Sequence, residues 1–124
     1  MNQQLSYEDY NVEKVITDFS LLGGDQNFSL STQIRIGLAD DKIHGAVEVT
    51  PTFKETSSNS VVLSVTCVTH FLLPSDFDND KIMELLKTDG SKQAYEKTKM
   101  VISELLKISN VDFINLPDYN SLNK

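Results

Sequence analysis

The 124-residue sequence has one cysteine, no tryptophan, three prolines and five glycines. A lone cysteine cannot pair within its own chain, which excludes an internal disulfide framework and indicates a reducing compartment. No run approaches the ~20 apolar residues that a membrane-spanning helix needs. The first residues have neither the basic start nor the apolar stretch of a signal peptide. We therefore expect a soluble, cytoplasmic protein that does not insert into membranes.

Patterns typical of metal, cofactor and catalytic sites are missing as well. His44 and His70 lie on different predicted strands, with no cysteine or carboxylate at ligand spacing. The acidic cluster at 76–80 resembles the start of a calcium loop, but the twelfth position is Lys87 instead of a bidentate carboxylate. Cys67 falls in the middle of a strand-like run, where a small core residue is expected. The sequence therefore predicts no metal, no cofactor and no enzyme activity.

Acidic residues outnumber basic ones by 18 to 11, which gives a net charge of −7. This balance argues against a nucleic acid or an anionic membrane surface as partner. A basic partner surface would suit it, and so would a charge that serves only solubility. A chain of this length buries roughly 65% of its unfolded surface, so we predict a single domain over residues 1–124.

Hydropathy patterns predict four strands. Alternation gives a first strand at 12–22 and, over eleven residues, a second at 28–38. The short acidic turn at 39–42 joins the second strand to a third, so these two should form an antiparallel hairpin. Pro51 lies within the third strand and predicts an edge-facing position or a bulge there. The fourth strand, at 61–73, is apolar on both faces.

Two helices should follow the strands. The acidic cluster at 76–80 offers caps to a short helix that Gly90 would end. Ser91 would then cap a long amphipathic helix, which Asn110 would end in the left-handed conformation. Strands first and helices last predict an α+β fold, a four-stranded antiparallel sheet with a short and a long helix packed on one face.

Apolar and aromatic side chains also occur where edges and loops are expected. Such side chains either close the core of a small sheet domain or mark an interface or ligand groove. We selected the following as candidates for a binding groove: Phe19, Leu21, Leu22, Phe71, Leu72, Phe113, Ile114, Leu116 and Tyr119.

The order of elements and two short motifs resemble the SecB family of bacterial protein-export chaperones. The motifs are Asp18-Phe19-Ser20 at the end of the first predicted strand, and Ile114-Asn115-Leu116-Pro117-Asp118-Tyr119-Asn120 directly after the long helix. The resemblance implies a homo-oligomer, a dimer of dimers, that holds unfolded polypeptides or preproteins without ATP. It also implies that the candidate groove residues bind clients and that Asp18 contributes to docking on the SecA motor.

The sequence departs from the family in two respects. Leu22 stands where the family has a second acidic residue, and the sequence ends at Lys124 without the family's last helix and charged tail. Docking on SecA therefore stays open. An alternative is a SecB-like structural, oligomerising or toxin–antitoxin-associated protein without general chaperone activity. A further alternative is a small-ligand-binding domain of hot-dog or cystatin-like form, although such domains place the helix before most strands.

Overall fold

The computed structural model describes residues 5–18, 27–41, 43–74, 78–111 and 116–121. They form one four-stranded antiparallel sheet with a helical layer on one face. The strands are β1 (Ser6–Thr17), β2 (Phe28–Leu38), β3 (His44–Glu55) and β4 (Ser60–Leu72), and the helices are α1 (Asn79–Leu85) and α2 (Ser91–Ile108). The predicted α+β architecture is confirmed.

The sheet has the strand order β1-β4-β3-β2, so β4 and β3 are central and β1 and β2 form the two edges. β2 and β3 are the predicted hairpin, paired from Phe28–Glu55 to Leu38–Gly45. Asp41 holds its turn, because its carboxylate accepts the backbone N–H groups of Ile43 and His44 at 2.8 and 3.0 Å. β1 reaches the sheet by pairing with β4.

The two faces of the sheet differ in character, as the alternation predicted. On the helix side of β3, Val47 and Val49 are fully buried and Phe53 is 5% exposed. On the other side, hydroxyl groups face each other across β3 and β4, with 3.1 Å between the Oγ1 atoms of Thr50 and Thr66. The core therefore lies between the sheet and the helices.

β1 begins earlier than predicted. The sequence pattern placed its start at Val12, whereas pairing with β4 already begins at Ser6. The register shifts between Tyr7 and Asp9 and again between Val12 and Lys14. These bulges interrupt the alternation of side chains, and for that reason the period of two was not visible over the first half of the strand.

The prediction that Pro51 occupies an edge or a bulge is wrong. Pro51 lies buried in the central strand β3, opposite Thr32 of β2. The β3–β4 pairs on either side of it are Val49–Cys67 and Thr52–Ser64. The Ser64 and Thr52 hydroxyls also bond each other at 3.0 Å, so side-chain hydrogen bonds join the strands beside the missing backbone donor.

The two predicted helices are continuous. Asp78 caps the first by accepting the N–H of Lys81 at 2.9 Å, in agreement with the prediction for the acidic cluster. A π-helical turn, Leu86–Gly90, then leads directly into α2. Gly90 has helical dihedrals (φ −63°) and does not end a helix, and Ser91 is not a cap, since its hydroxyl donates to the Leu86 carbonyl at 3.1 Å. Both of these predictions are wrong.

The π turn and Gly90 together seat the helical layer on the sheet. Ile82 and Ala94 are both buried although twelve residues, about a third of a turn out of phase in an α-helix, separate them. The extra residue of a π turn corrects this phase difference. A Cβ at Gly90 would lie 3.0 Å from Leu5 Cδ1 and 3.4 Å from Val47 Cγ2. The helix therefore approaches β3 as closely as only glycine allows.

The end of α2 is as predicted. Asn110 has a positive φ of 59°. Its N–H bonds the Lys107 carbonyl at 3.2 Å, and the N–H of Val111 bonds the Leu106 carbonyl at 2.9 Å. This is the Schellman arrangement, which satisfies the last carbonyls of the helix.

Candidate functional site

An apolar strip runs along the helix side of β1. Tyr7, Tyr10, Val12 and Val15 pair directly with Phe71, Thr69, Cys67 and Val65 of β4, which point into the core. Residues that face each other in an antiparallel pair share a face of the sheet. Tyr7 and Val12 are each 40% exposed and Val15 is 48% exposed. We call these four β1 residues the β1 strip.

The strip is exposed because α2 does not reach it. α2 packs over β4 and β3, and the β4 residues beside the strip are fully buried. Only the flank of the helix meets β1, where Lys97 Nζ lies 4.5 Å from the centre of the Tyr7 ring. Val101 and Leu105 follow Lys97 at intervals of four residues and are half-buried on the same flank. The result is a shallow apolar groove between β1 and α2.

The groove borders an open sheet edge. Within the described residues β1 pairs with β4 alone, so its other edge presents backbone donors and acceptors. Such an edge can add an extended polypeptide as a further strand, with alternate side chains of that polypeptide entering the groove. Glu8, Glu13 and the two bulges of β1 are features that limit indiscriminate pairing of edges.

The structure separates the residues predicted to form a groove. Phe71 is fully buried in the core, and Leu72, 37% exposed, lies on the opposite face of the sheet. Leu116 is 5% exposed, and Tyr119 packs half-buried on the helix. Asp18 is exposed just after β1, and its N–H donates to the Val62 carbonyl at 2.8 Å. Other candidates lie outside the described residues: Phe19, Leu21, Leu22, Phe113 and Ile114.

None of the four residues of the β1 strip is among the candidates that the sequence pattern indicates. Tyr7 and Tyr10 lie in the charged stretch Ser6-Tyr-Glu-Asp-Tyr-Asn11, which reads as polar. Val12 was taken as the beginning of the strand. The two tyrosines were a signal for a strand, because tyrosine favours strands. The bulges break the alternation, so the sequence does not show that these residues share a face.

The segment after α2 contacts the helix flank opposite the groove. The Tyr95 hydroxyl donates to the Pro117 carbonyl at 2.5 Å, and Lys99 Nζ lies 2.7 Å from Asp118 Oδ1. The rings of Tyr95 and Tyr119 are 5.7 Å apart and tilted by 58°. Burial raises the pKa of Tyr95 to about 12, helped by the charges of Glu96 and Asp118, so this hydroxyl is a donor at neutral pH.

In the part of the chain that the structure describes, the titratable groups do not converge on a reactive centre. Cys67 is fully buried, as predicted for a core residue, and burial raises the pKa of its thiol. His44 bonds Asp41 at 2.6 Å, and His70 bonds Asn11 at 2.9 Å. Within the ranges that the structure describes, no three His, Cys, Asp or Glu side chains are grouped to hold a metal ion.

Comparison with known proteins gives a likeness at the level of the fold. No protein-family model and no curated protein matches the chain. A solved structure does, that of a SecB-like chaperone of Mycobacterium tuberculosis in complex with a ChAD peptide from the HigA1 antitoxin. The TM-score is 0.66 at 8% identity, over 92% of this chain and 86% of that one. The fold is SecB-like. At this identity the likeness extends to the fold alone.

The SecB-like fold agrees with the order of elements in the chain. All four strands precede the helices, unlike the helix-before-strands order of the hot-dog or cystatin-like alternative. In this fold the β1 strip and the segment after α2 lie on opposite flanks of the same helix. Among the described residues, no helix is long and apolar enough to cross a membrane.

Proposed function

We propose that the protein is an ATP-independent holdase that binds unfolded polypeptides along the β1 strip. The observation that carries this proposal is the exposed row Tyr7, Val12 and Val15, beside a strand edge that no described residue pairs with. An unfolded chain offers both apolar side chains and free backbone groups, whereas a folded protein has buried both. Binding thus combines burial of apolar area, about 25 cal/mol per Å², with strand addition.

The SecB-like neighbour supports a polypeptide as the ligand, because it was solved with a peptide from a partner protein. The same observation supports a second candidate, in which this chain holds one dedicated partner, such as an antitoxin, instead of unfolded proteins in general. Assembly into a dimer of dimers, action in protein export and docking on SecA through Asp18 stay predictions.

The test is suppression of aggregation. A chemically unfolded polypeptide is diluted with increasing amounts of the purified protein, and light scattering follows aggregation. We expect suppression of aggregation near a stoichiometric ratio, and we expect ATP to leave it unchanged. The protein should not bind the folded form of the same polypeptide. Suppression of one partner only, with no effect on unrelated unfolded chains, would favour the dedicated-partner function.

A double variant, Val12→Asp with Val15→Asp, locates the site. Burying a valine fully contributes about 1.5 kcal/mol. Val12 and Val15 are each already about half buried, so covering both with a client should contribute about 1.5 kcal/mol to binding in total. We therefore expect about tenfold more protein to be needed for half-maximal suppression.

The matched control is Ile16→Asp. Ile16 has the same 40% exposure as Val12 and lies in the same strand, but it points to the opposite face of the sheet. Like each of the two substitutions in the double variant, Ile16→Asp replaces a β-branched residue by aspartate, but it should leave suppression unchanged. Equal loss in both variants would contradict the assignment of the strip. So would a double variant that keeps suppression while sedimentation shows a dimer turning into a monomer, because the strip would then serve self-association.

A further inference from the structure

Residues 116–121, the tail, are bound to α2 in the manner of a peptide ligand. The backbone carbonyl of Pro117 accepts a hydrogen bond from the Tyr95 hydroxyl, Asp118 forms an ion pair with Lys99, and the Tyr119 ring packs against the Tyr95 ring. Leu116 is buried in the core cluster at 5% exposure. The surface under the tail, which we call the tail site, thus recognises an aliphatic residue, then a carboxylate, then an aromatic ring.

The contacts at the outer end of the tail are ones that solvent weakens. Asp118 is 82% exposed, and an ion pair at such exposure contributes little and is screened by salt. With the tail in place, Tyr95 is fully buried and Lys99 is 32% exposed, so both are more covered than Asp118. The outer end of the tail is therefore the part of this contact that water reaches most easily.

The flank of α2 that carries the tail site faces the β2 side of the sheet. Lys97 and Lys99 lie on opposite flanks of α2. Because Lys97 contacts Tyr7 of β1, the flank with Lys99 faces β2. The helix side of β2 is a half-buried apolar row, and in the described part of the chain β2 pairs with β3 alone. The members of that row that pack on the core are Phe28, Leu30, Ile34 and Ile36.

We propose that the tail site is a second peptide-binding site, that its ligand is a client segment of aliphatic–acidic–aromatic chemistry, and that the tail is a resident competitor which such a segment displaces. A backbone carbonyl of the segment would accept a hydrogen bond from the Tyr95 hydroxyl, and a carboxylate of the segment would form an ion pair with Lys99. The proposal rests on the proposed function only in taking the ligand from a client chain. It concerns a different surface from the β1 strip.

The test uses the full chain and a fluorescent peptide with the sequence of residues 111–121, followed by anisotropy. The variant Asp118→Asn with Tyr119→Ala weakens the resident tail and leaves the site intact. Losing an exposed ion pair and an aromatic pair should raise the affinity of the peptide about tenfold over the wild type. Adding Lys99→Met to this variant should lower the affinity of the peptide about twofold to fivefold, because the site then lacks the cation that pairs with the carboxylate of the peptide.

A second peptide separates the site from the tail. A peptide with asparagine in place of the residue corresponding to Asp118 should bind the opened variant more weakly than the original peptide does. In the variant that also carries Lys99→Met the two peptides should bind alike. Lys92→Met, an exposed lysine of the same helix, is the matched control and should leave peptide affinity unchanged, and circular dichroism verifies that each variant folds.

Three results would overturn the proposal. One is equal affinity of the peptide for the wild type and the opened variant. Another is a peptide affinity of the opened variant that Lys99→Met leaves unchanged. The third is a wild-type chain that sediments as an oligomer which the peptide dissociates, because the site would then hold the tail of a second copy. The peptide assay reads the tail site and the aggregation assay reads the β1 strip, so failure of one proposal is distinguishable from failure of the other.

Discussion

Glu55 shows how one side chain can close a hairpin. It is the last residue of β3, 4% exposed, and its carboxylate accepts the N–H groups of Ser57 and Ser58 at 3.0 Å each. Both serine hydroxyls donate to it as well. The bonds from Ser57 and then Ser58 lower the pKa of Glu55 to about 2, against a usual 4.5. The sequence shows only a run of polar residues here, and the partners of Glu55 are recognisable only once the turn is formed.

Glu55→Gln is predicted to destabilise the protein in a pH-dependent way. Because folding depresses the pKa of Glu55, its contribution to stability is fully present above about pH 4.5 and is lost as the pH falls toward 2. Urea denaturation should therefore show a clear loss for the variant at pH 7 and a much smaller one near pH 2. The exposed Glu104 offers the control Glu104→Gln. An equal gap at both pH values would mean that the carboxylate charge is not what holds the turn.

Among the secondary-structure elements, predictability followed the regularity of the local pattern. β2 was predicted to the residue, since its alternation is unbroken and its turn is short. The first half of β1 was missed because its bulges break the alternation. The sequence predicts a helix end at Gly90, because a local rule cannot distinguish a terminating glycine from one that close packing requires. The candidate site could not be predicted from local patterns either, because its position depends on which strand α2 leaves uncovered.

Gly90→Ala is predicted to lower the free energy of unfolding. Overpacking a core costs typically about 1–3 kcal/mol, while alanine gains about 1 kcal/mol in helix propensity. With Leu5, Leu86 and Val47 all within 3.4 Å of the new methyl group, we expect a net loss of about 1 kcal/mol in chemical denaturation.

Gly37→Ala is the matched control for this prediction. A Cβ at Gly37 in β2 would have no neighbour within 4 Å, so the substitution should be neutral or slightly stabilising. A Gly90→Ala variant that is also neutral would show that the helix can move away from β3 at no cost.

At the scale of the molecule, the strand order predicts a gradient of protection. Among the described residues, β3 and β4 are paired on both sides, whereas β1 and β2 are each paired on one side. In hydrogen exchange, the amides of β3 and β4 should exchange most slowly, and the outward-pointing amides of β1 and β2 should exchange fast. Outward amides of β1 that are as slow as those of β4 would contradict an open edge and would instead indicate that another chain covers it in solution.

The pairing of β1 with β4 has a consequence for synthesis and folding. Ser6 pairs with Leu72 and Thr17 with Leu63, so the partners are 66 and 46 residues apart in sequence. During synthesis β1 leaves the ribosome before β4, and it cannot join the sheet until β4 has been made. Closing such long loops costs conformational entropy before native contacts can offset it, and folding is therefore slow. During that interval the apolar residues of β1 are themselves exposed on an incomplete chain, and newly made copies have the very surface that the finished protein is proposed to bind.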